Sequence, residues 1–159
     1  MEIRSAGFQN NATMPRSCTA EGDNLSPPLS WSDVPAGAKS LVLIVEDIDI
    51  PIPRFIMKSW VHWVVYDIPP GSPGLPQGVP GRGPVPGGGT QGRTSWQRPG
   101  WGGPNPVGGE HRYVFRLHAL DCRLGIAPRR AGKRRLLSLM AGHVLASAEL
   151  TGRYRKTRG

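Results

Sequence analysis

The feature that most constrains the fold is the glycine- and proline-rich segment between Pro69 and Pro106. Proline removes a backbone donor and glycine disfavours regular structure, so a helix or a long strand cannot form here. The segment therefore predicts a long loop over residues 70–100. A loop of this length inside a compact domain is more often folded over its own surface for a function than a mobile linker, and we favour that interpretation. Residues 83–90 are predicted to be its most mobile part.

Apolar runs on either side of this loop predict β-strands. Residues 41–45, 61–66 and 113–120 are rich in β-branched and aromatic side chains, and residues 144–151 alternate with a period of two. A chain of 159 residues is long enough to bury one core but not two. We therefore expect one mainly β domain over residues 1–159, of the sandwich or barrel type.

A short amphipathic helix is predicted near the C-terminal end. Residues 133–141 carry Leu136, Leu137 and Met140 at helical spacing behind an arginine face, and Gly142 is a suitable stop.

The charge of the chain is unevenly distributed. The formal net charge is +9, and ten basic residues but only one acidic residue, Glu149, follow Asp121. A basic helix and a basic tail at 153–159 would attract nucleic acid or an acidic partner. We favour a solvated basic face over this interpretation, and we do not expect nucleic-acid binding.

The cysteines and the N-terminal residues indicate the cellular compartment that we expect for the protein. Cys18 and Cys122 lack the CxxC spacing of a zinc site and are too few for a disulfide framework. Residues 1–5 resemble no signal peptide, and no apolar run approaches the roughly 20 residues that cross a bilayer. We expect a soluble cytoplasmic protein without membrane insertion.

Candidate functional residues lie where the predicted strands begin or end. Asp47 and Asp49 follow the first apolar strand, and Trp60 and His62 are predicted to share one face of the next strand while Val61 and Trp63 take the other. Taken singly, the aspartates are more often turn residues and the histidine a core group.

A second group of candidates follows the long loop. A glycine-rich turn over residues 102–109 leads into a strand with His111 and Tyr113 on one side. Glycines let a backbone approach a ligand, and histidine and tyrosine supply donors. The turn has the spacing of neither a P-loop nor a dinucleotide fingerprint.

The order of these motifs resembles the phosphatidylethanolamine-binding protein family, also called Raf-kinase-inhibitor-like, and especially its short prokaryotic branch. The resemblance rests on DNLSPPLSW at 23–31, DIDIP at 47–51, HWVVYDIP at 62–69, GPNP at 103–106, HRYVF at 111–115 and GHVLASAELTG at 142–152. It implies an antiparallel β-sandwich, a large sheet packed on a smaller one, with one or two short peripheral helices. Ile48, Ile50, Trp101 and Asn105 depart from the family pattern, so the pocket mouth is expected to differ.

The resemblance also implies a pocket for a small anionic or phosphorylated head group. Its members by position are Asp47, Asp49, Trp60, His62, Gly103, Pro104, His111 and Tyr113. We expect His62, His111, Tyr113 and the amides near Gly103 to donate to the ligand, with the two aspartates orienting them. The expected function is non-catalytic ligand binding that regulates a protein partner such as a kinase or protease.

Three other interpretations stay open. His62, His111 and an aspartate match the ligand set of a metal site, although the resemblance implies no metal and no cofactor. A histidine and an aspartate could activate Ser59 in a hydrolase of esters or phosphomonoesters, but no Gly-x-Ser-x-Gly signature is present. The third interpretation is an interaction protein that binds acidic partners through its basic C-terminal region. Trp96, Trp101 and the Pro-rich loop are candidates for a homodimer surface.

Overall fold

Two antiparallel sheets are formed by residues 1–157, the part of the chain that the computed structural model describes. The strands are β1 Glu2–Arg4, β2 Leu29–Ser32, β3 Ser40–Asp47, β4 Trp60–Ile68, β5 Gly74–Leu75, β6 Thr90–Gln91, β7 Glu110–Leu120 and β8 Val144–Arg155. The smaller sheet has the order β1-β2-β5 and the larger the order β6-β4-β3-β7-β8. One α-helix, α1 at Lys133–Met140, and 3-10 turns at Arg16–Cys18 and Pro128–Arg130 complete these elements.

The large sheet is buried on both faces. In β3, Leu41, Leu43 and Val45 point into the core between the two sheets, whereas Val42 and Ile44 point to an outer apolar layer. That outer layer is closed by α1 through Leu136 and Met140. Burial on both faces explains why β3 is a continuous apolar run.

A β-bulge interrupts the start of β4. Val45 pairs with Trp63 and Glu46 pairs with Val61, so the residue between them, His62, has no pairing partner of its own. Val61 lies in the outer layer and Trp63 in the inner core. The prediction that Val61 and Trp63 share a face is therefore wrong, because the extra residue breaks the period of two.

The long loop packs against the protein. Val79 and Val85 are buried in the inner core, and the Trp31 indole donates to the Ser72 carbonyl at 2.6 Å. The segment is not wholly irregular, since β5 adds to the small sheet and β6 to the edge of the large one. The greater mobility of residues 83–90 stays a prediction.

The C-terminal elements differ in detail from those predicted. β8 continues to Arg155 because it pairs with β7 along its length, so residues 153–155 belong to a strand and not to a tail. Residues 158–159 of the predicted tail lie outside the described residues. The helix is confirmed, but Leu137 is 43% exposed and does not belong to its buried face.

Candidate functional site

Strand pairing brings the predicted site residues together. Asp47, the last residue of β3, pairs with Trp60 at the start of β4 and with Tyr113 near the start of β7. His111 lies two residues before Tyr113 and therefore on the same side of β7. Antiparallel neighbours place the end of one strand beside the start of the next, so three strands supply side chains to one point.

A cavity of about 230 Å³ opens at this point. Its walls are Asp47, Ile50, Pro51, Trp60, His62, Trp96, Asn105, Pro106, Val107, His111 and Tyr113. Five of the eight predicted site residues line it; Asp49, Gly103 and Pro104 do not.

His111 and Asp47 form a buried pair. Nδ1 of His111 lies 2.7 Å from Oδ2 of Asp47, and the side chains are only 5% and 6% exposed. The other ring nitrogen, Nε2, lies 3.2 Å from the carbonyl oxygen of Gly108. The amide of Asp49 donates to Oδ1 of Asp47 at 2.8 Å. Both nitrogens of His111 thus lie beside acceptors within the protein.

Asp49 supports the site from outside the cavity. Its carboxylate accepts the backbone amide and Nε of Arg112 at 2.9 Å each, and Nη2 at 2.8 Å. The hydrogen bonds from Arg112 lower the pKa of Asp49. Asp49 therefore fixes the segment of β7 around Arg112, whose two neighbours in the sequence are His111 and Tyr113.

His62 has one ring nitrogen that forms no hydrogen bond within residues 1–157. Its Nδ1 donates to the carbonyl oxygen of Gly102 at 2.5 Å, and its ring packs edge-on against Tyr113 at 5.1 Å and Trp96 at 4.9 Å between centroids. Burial lowers the pKa of His62. The ring is therefore neutral at pH 7, and with Nδ1 as the donor its Nε2 is an acceptor.

The hydroxyl of Tyr113 is buried and has no hydrogen-bond partner within residues 1–157. Burial raises the pKa of Tyr113, and the nearby charge of Asp47 raises it further. The hydroxyl consequently keeps its proton throughout the physiological range. A buried donor without a partner costs about 1–3 kcal/mol, so a bound group at this position would satisfy it.

Gly103 and its neighbour Gly102 have structural roles instead of the predicted donor role. The amide of Gly103 donates to Oδ1 of Asn24 at 2.7 Å, and the amide of Gly102 donates to the carbonyl of His62 at 3.0 Å. The prediction that these amides donate to a ligand is wrong for both residues, because their protons are already bound. Glycine is required at 103, since a Cβ there would lie 2.4 Å from Oδ1 of Asn24 and from the Cys18 carbonyl oxygen.

Trp96 belongs to the site, and the sequence interpretation placed it elsewhere. It lines the cavity, packs edge-on against Trp60 at 5.6 Å, and carries the guanidinium of Arg98 at 5.5 Å from its ring centroid. A tryptophan inside a glycine- and proline-rich loop was the available signal. Trp101, the other proposed dimer residue, is buried and donates to the Cys18 carbonyl at 3.0 Å, so it cannot supply a dimer surface.

The metal-site and serine-hydrolase interpretations meet geometric obstacles. Of the two cavity histidines, His111 has both ring nitrogens engaged within the protein, which leaves Nε2 of His62 as the one unengaged imidazole nitrogen at this described site. The Ser59 hydroxyl hydrogen-bonds to Glu46, in a cluster with Lys133 on the outer side of β4. It therefore does not approach His62.

Comparisons with known proteins agree with this fold. The family model described as phosphatidylethanolamine-binding protein matches residues 4–155. The chain belongs to the phosphatidylethanolamine-binding protein family. A UPF0098 protein of Methanothermobacter thermautotrophicus is 45% identical over 98% of this chain and 99% of its own length. A UPF0098 protein of Aquifex aeolicus is 40% identical, over 98% of this chain and 89% of its own length.

Solved structures of phosphatidylethanolamine-binding protein relatives share the fold. A homolog from Chlamydia trachomatis has a TM-score of 0.89 and 38% identity, covering 98% of this chain and 97% of its own. YbcL of Escherichia coli has a TM-score of 0.85 and 28% identity, covering 98% of both chains. These matches confirm the predicted family, its prokaryotic branch and the mainly β sandwich. Among the described residues, no helix has the length and apolar character needed to span a membrane.

Proposed function

We propose that this phosphatidylethanolamine-binding protein relative binds a small phosphate-like anion in the cavity between His62, His111 and Tyr113 without transforming it. The observation that carries the proposal is the buried hydroxyl of Tyr113, which lies near the Asp47 carboxylate but forms no hydrogen bond within residues 1–157. Polar groups in such a position are normally satisfied by water or a ligand.

The donor and acceptor pattern favours a protonated phosphate. The Tyr113 hydroxyl donates, whereas Nε2 of neutral His62 accepts. A phosphate monoanion or a phosphomonoester monoanion carries oxygens for the first and an acidic hydroxyl for the second. A sulfate dianion would satisfy only Tyr113 unless His62 took up a proton.

The size and charge of the cavity agree with a small ligand. Its 230 Å³ lies below the roughly 300–1,000 Å³ of drug-sized pockets. Asp47 is paired with His111 and Asp49 with Arg112, so the nearby carboxylates oppose an anion less than their number suggests. The small volume favours a head group or inorganic phosphate over a large substrate, and the pairing of the carboxylates reduces their repulsion of an anion.

A regulated protein partner forms the second part of the proposal. Val107 lines the cavity and is 74% exposed, and Phe55 and Ile56, which follow the cavity residues Ile50 and Pro51 in the chain, are 90% and 66% exposed. Apolar side chains at the rim of a ligand site are suited to a protein contact that senses occupancy. A kinase or protease is the class of partner that the family suggests.

Calorimetry with inorganic phosphate and with phosphoethanolamine from about pH 5 to 8 tests the binding. We expect tighter binding at the acidic end, because protonation of His62 and protonation of the phosphate each favour the complex. Equal or tighter binding at pH 8 would contradict the proposal.

Tyr113→Phe provides the sharper test, with Tyr66→Phe as its matched control. The Tyr66 hydroxyl donates to the Ile126 carbonyl at 2.5 Å on the outer side of the sheet. Tyr113→Phe should weaken phosphate binding about tenfold or more, because a hydrogen bond to a charged group is lost, and should leave the unliganded protein at least as stable. Tyr66→Phe should keep the affinity and lose about 1 kcal/mol of unfolding free energy.

The hydrolase alternative is tested with the same preparations. We expect no turnover of phosphomonoesters or simple esters by the protein. Turnover that disappears in His111→Ala would replace the binding proposal with an enzymatic one.

A further inference from the structure

Three metal-ligating side chains converge at the far end of β7 from the cavity. Asp121 and Cys122 directly follow β7, and His143 directly precedes β8, where Leu120 pairs with Val144. One ligand atom from each of the three side chains lies within 4.8 Å of the others. β7 is 11 residues long, which at about 3.3 Å per residue separates this cluster from His111 by roughly 30 Å.

The backbone that carries these three side chains is held by hydrogen bonds to neighbouring segments. The Asp121 amide donates to the His143 carbonyl at 3.0 Å, and the His143 amide donates to the Met140 carbonyl at 2.9 Å. The hydroxyl of Ser40 donates to the Cys122 carbonyl at 2.5 Å. The side chains therefore vary only by rotation about their own bonds, which is the preorganisation that a metal site needs.

We propose that Asp121, Cys122 and His143 bind a divalent transition-metal ion, with Zn²⁺ as the natural occupant. A thiolate, an imidazole and a carboxylate together are typical zinc ligands, and three protein ligands leave a fourth tetrahedral position for water. The thiolate and carboxylate carry two negative charges, which match the charge of the ion. Binding releases the thiol proton of Cys122, and the His143 ring coordinates as a neutral imidazole through Nδ1 with its remaining proton on Nε2.

The distances fit after a small adjustment. In a tetrahedral site with bonds of about 2.0–2.3 Å, ligand atoms lie roughly 3.3–3.8 Å apart. Nδ1 of His143 and Oδ1 of Asp121 are 2.7 Å apart as a hydrogen-bonded pair and would open slightly, whereas the widest separation within the cluster, up to 4.8 Å, would close. Asp121 and His143 are 46% and 47% exposed at their side chains, so ions enter from solvent directly.

An ordinary surface ion pair explains only part of this arrangement. It accounts for Asp121 and His143 but not for a cysteine at the same point, and Cys122 forms no disulfide. Sequence spacing gave no indication of the site, since His143 lies 22 residues after Asp121 and the chain has no second cysteine nearby.

Cobalt substitution tests the site without any assay of function. The purified protein, with any affinity tag removed and a phosphine as reductant, is titrated with Co²⁺ and then with Zn²⁺. We expect one equivalent of Co²⁺ to give a near-ultraviolet thiolate charge-transfer band and visible bands of tetrahedral intensity, and Zn²⁺ to displace both. Cys122→Ser should abolish the charge-transfer band, and Asp121→Asn and His143→Gln should each weaken binding at least about tenfold.

Two controls keep the result interpretable. Cys18→Ser removes the other thiol, which is buried and remote, and His118→Gln removes a histidine paired with Ser147; both should leave the cobalt spectrum unchanged. Each variant is first shown by its thermal unfolding to be folded. Absence of a charge-transfer band, or a band that survives in Cys122→Ser, would overturn the proposal.

Discussion

His62 is the side chain on which both the cavity and its response to pH depend. It lies at the bulge of β4, with Nδ1 bound to Gly102 and its ring between Trp96 and Tyr113. The low-dielectric surroundings disfavour the imidazolium, so its pKa is lowered from the ordinary value of 6.5. At the same pH, the folded protein therefore binds a proton at His62 less readily than the unfolded chain does.

This lowered pKa predicts a loss of stability in mild acid. Below about pH 6.5 the unfolded state binds more protons at position 62 than the folded state does, so the unfolding free energy falls as the pH drops toward the lowered folded pKa. The slope from one such group is at most about 1.4 kcal/mol per pH unit. His118, whose pKa is lowered first by burial and then by Arg116, adds to it.

Urea unfolding of the protein and of His62→Asn between pH 8 and pH 5 measures this contribution. Asparagine keeps a donor near the position of Nδ1 but does not titrate, so the variant should lose less stability over this range. The difference between the two proteins at pH 8, where the ring is neutral, gives the cost of the substitution itself. Parallel curves for the two proteins would show that His62 does not titrate differently in the fold.

Which side chains meet at the site was predictable, but their hydrogen-bond partners were not. The motif order located Asp47, His62, His111 and Tyr113, and strand pairing brings all four to one cavity. The partner of each donor depends on distant chain segments, such as the Asn24 side chain that takes the amide of Gly103. No periodicity in the sequence encodes such contacts, so donors and acceptors were assigned incorrectly there.

Among the elements, β4 shows how a single extra residue builds a site. The inserted residue at the bulge lets His62 and Trp63 both reach the inner side, where His62 contacts Tyr113 and Trp63 contacts Trp101 at 5.7 Å. A regular strand would have turned one of the two away. The apolar composition predicted the strand correctly, but a strict period of two could not reveal the bulge.

Glu46 connects two elements on the opposite, outer side of the sheet. Its carboxylate is 2% exposed and accepts from Arg116 on β7 at 2.6 Å, from Lys133 at the start of α1 and from Ser59. Burial alone would raise the pKa of Glu46, but these donors together outweigh it and lower the pKa. The cluster therefore holds α1 onto the sheet by charge as well as by Leu136.

Glu46→Gln should destabilise the protein by about 3 kcal/mol, the lower end for breaking a buried ion pair, because Lys133 and Arg116 remain about one-third exposed. Glu149→Gln is the matched control: Glu149 also pairs with Arg116 but is 60% exposed, so its loss should cost less than about 1 kcal/mol. Chemical denaturation of both variants at pH 7 compares the two costs. Equal costs would show that the cluster adds nothing beyond a surface pair.

On the scale of the whole molecule, a basic groove and the cavity open on opposite sides of the large sheet. A groove of about 510 Å³ beside the start of α1 is lined by Val61, Arg93, Lys133, Arg134 and Arg135 together with neighbouring polar residues. Val61 points to this outer side, whereas His62 points to the cavity. The ordinary alternation of β4 thus assigns the consecutive residues Val61 and His62 to two separate surfaces.

This separation predicts that acidic polymers and phosphate bind independently. Replacing Arg129, Arg130, Arg134 and Arg135 with glutamine should weaken heparin binding and reduce its salt dependence by about one unit of slope per lost contact. Affinity for inorganic phosphate at physiological salt should stay within about twofold, because none of these four arginines lines the cavity and salt screens exposed charges over a Debye length of ~8 Å. In the reverse experiment, phosphate at saturating concentration should not release the unaltered protein from heparin in a salt-matched buffer. Release by phosphate but not by an equal ionic strength of chloride would mean that the basic face and the cavity form one site, since only a shared site makes the two ligands compete.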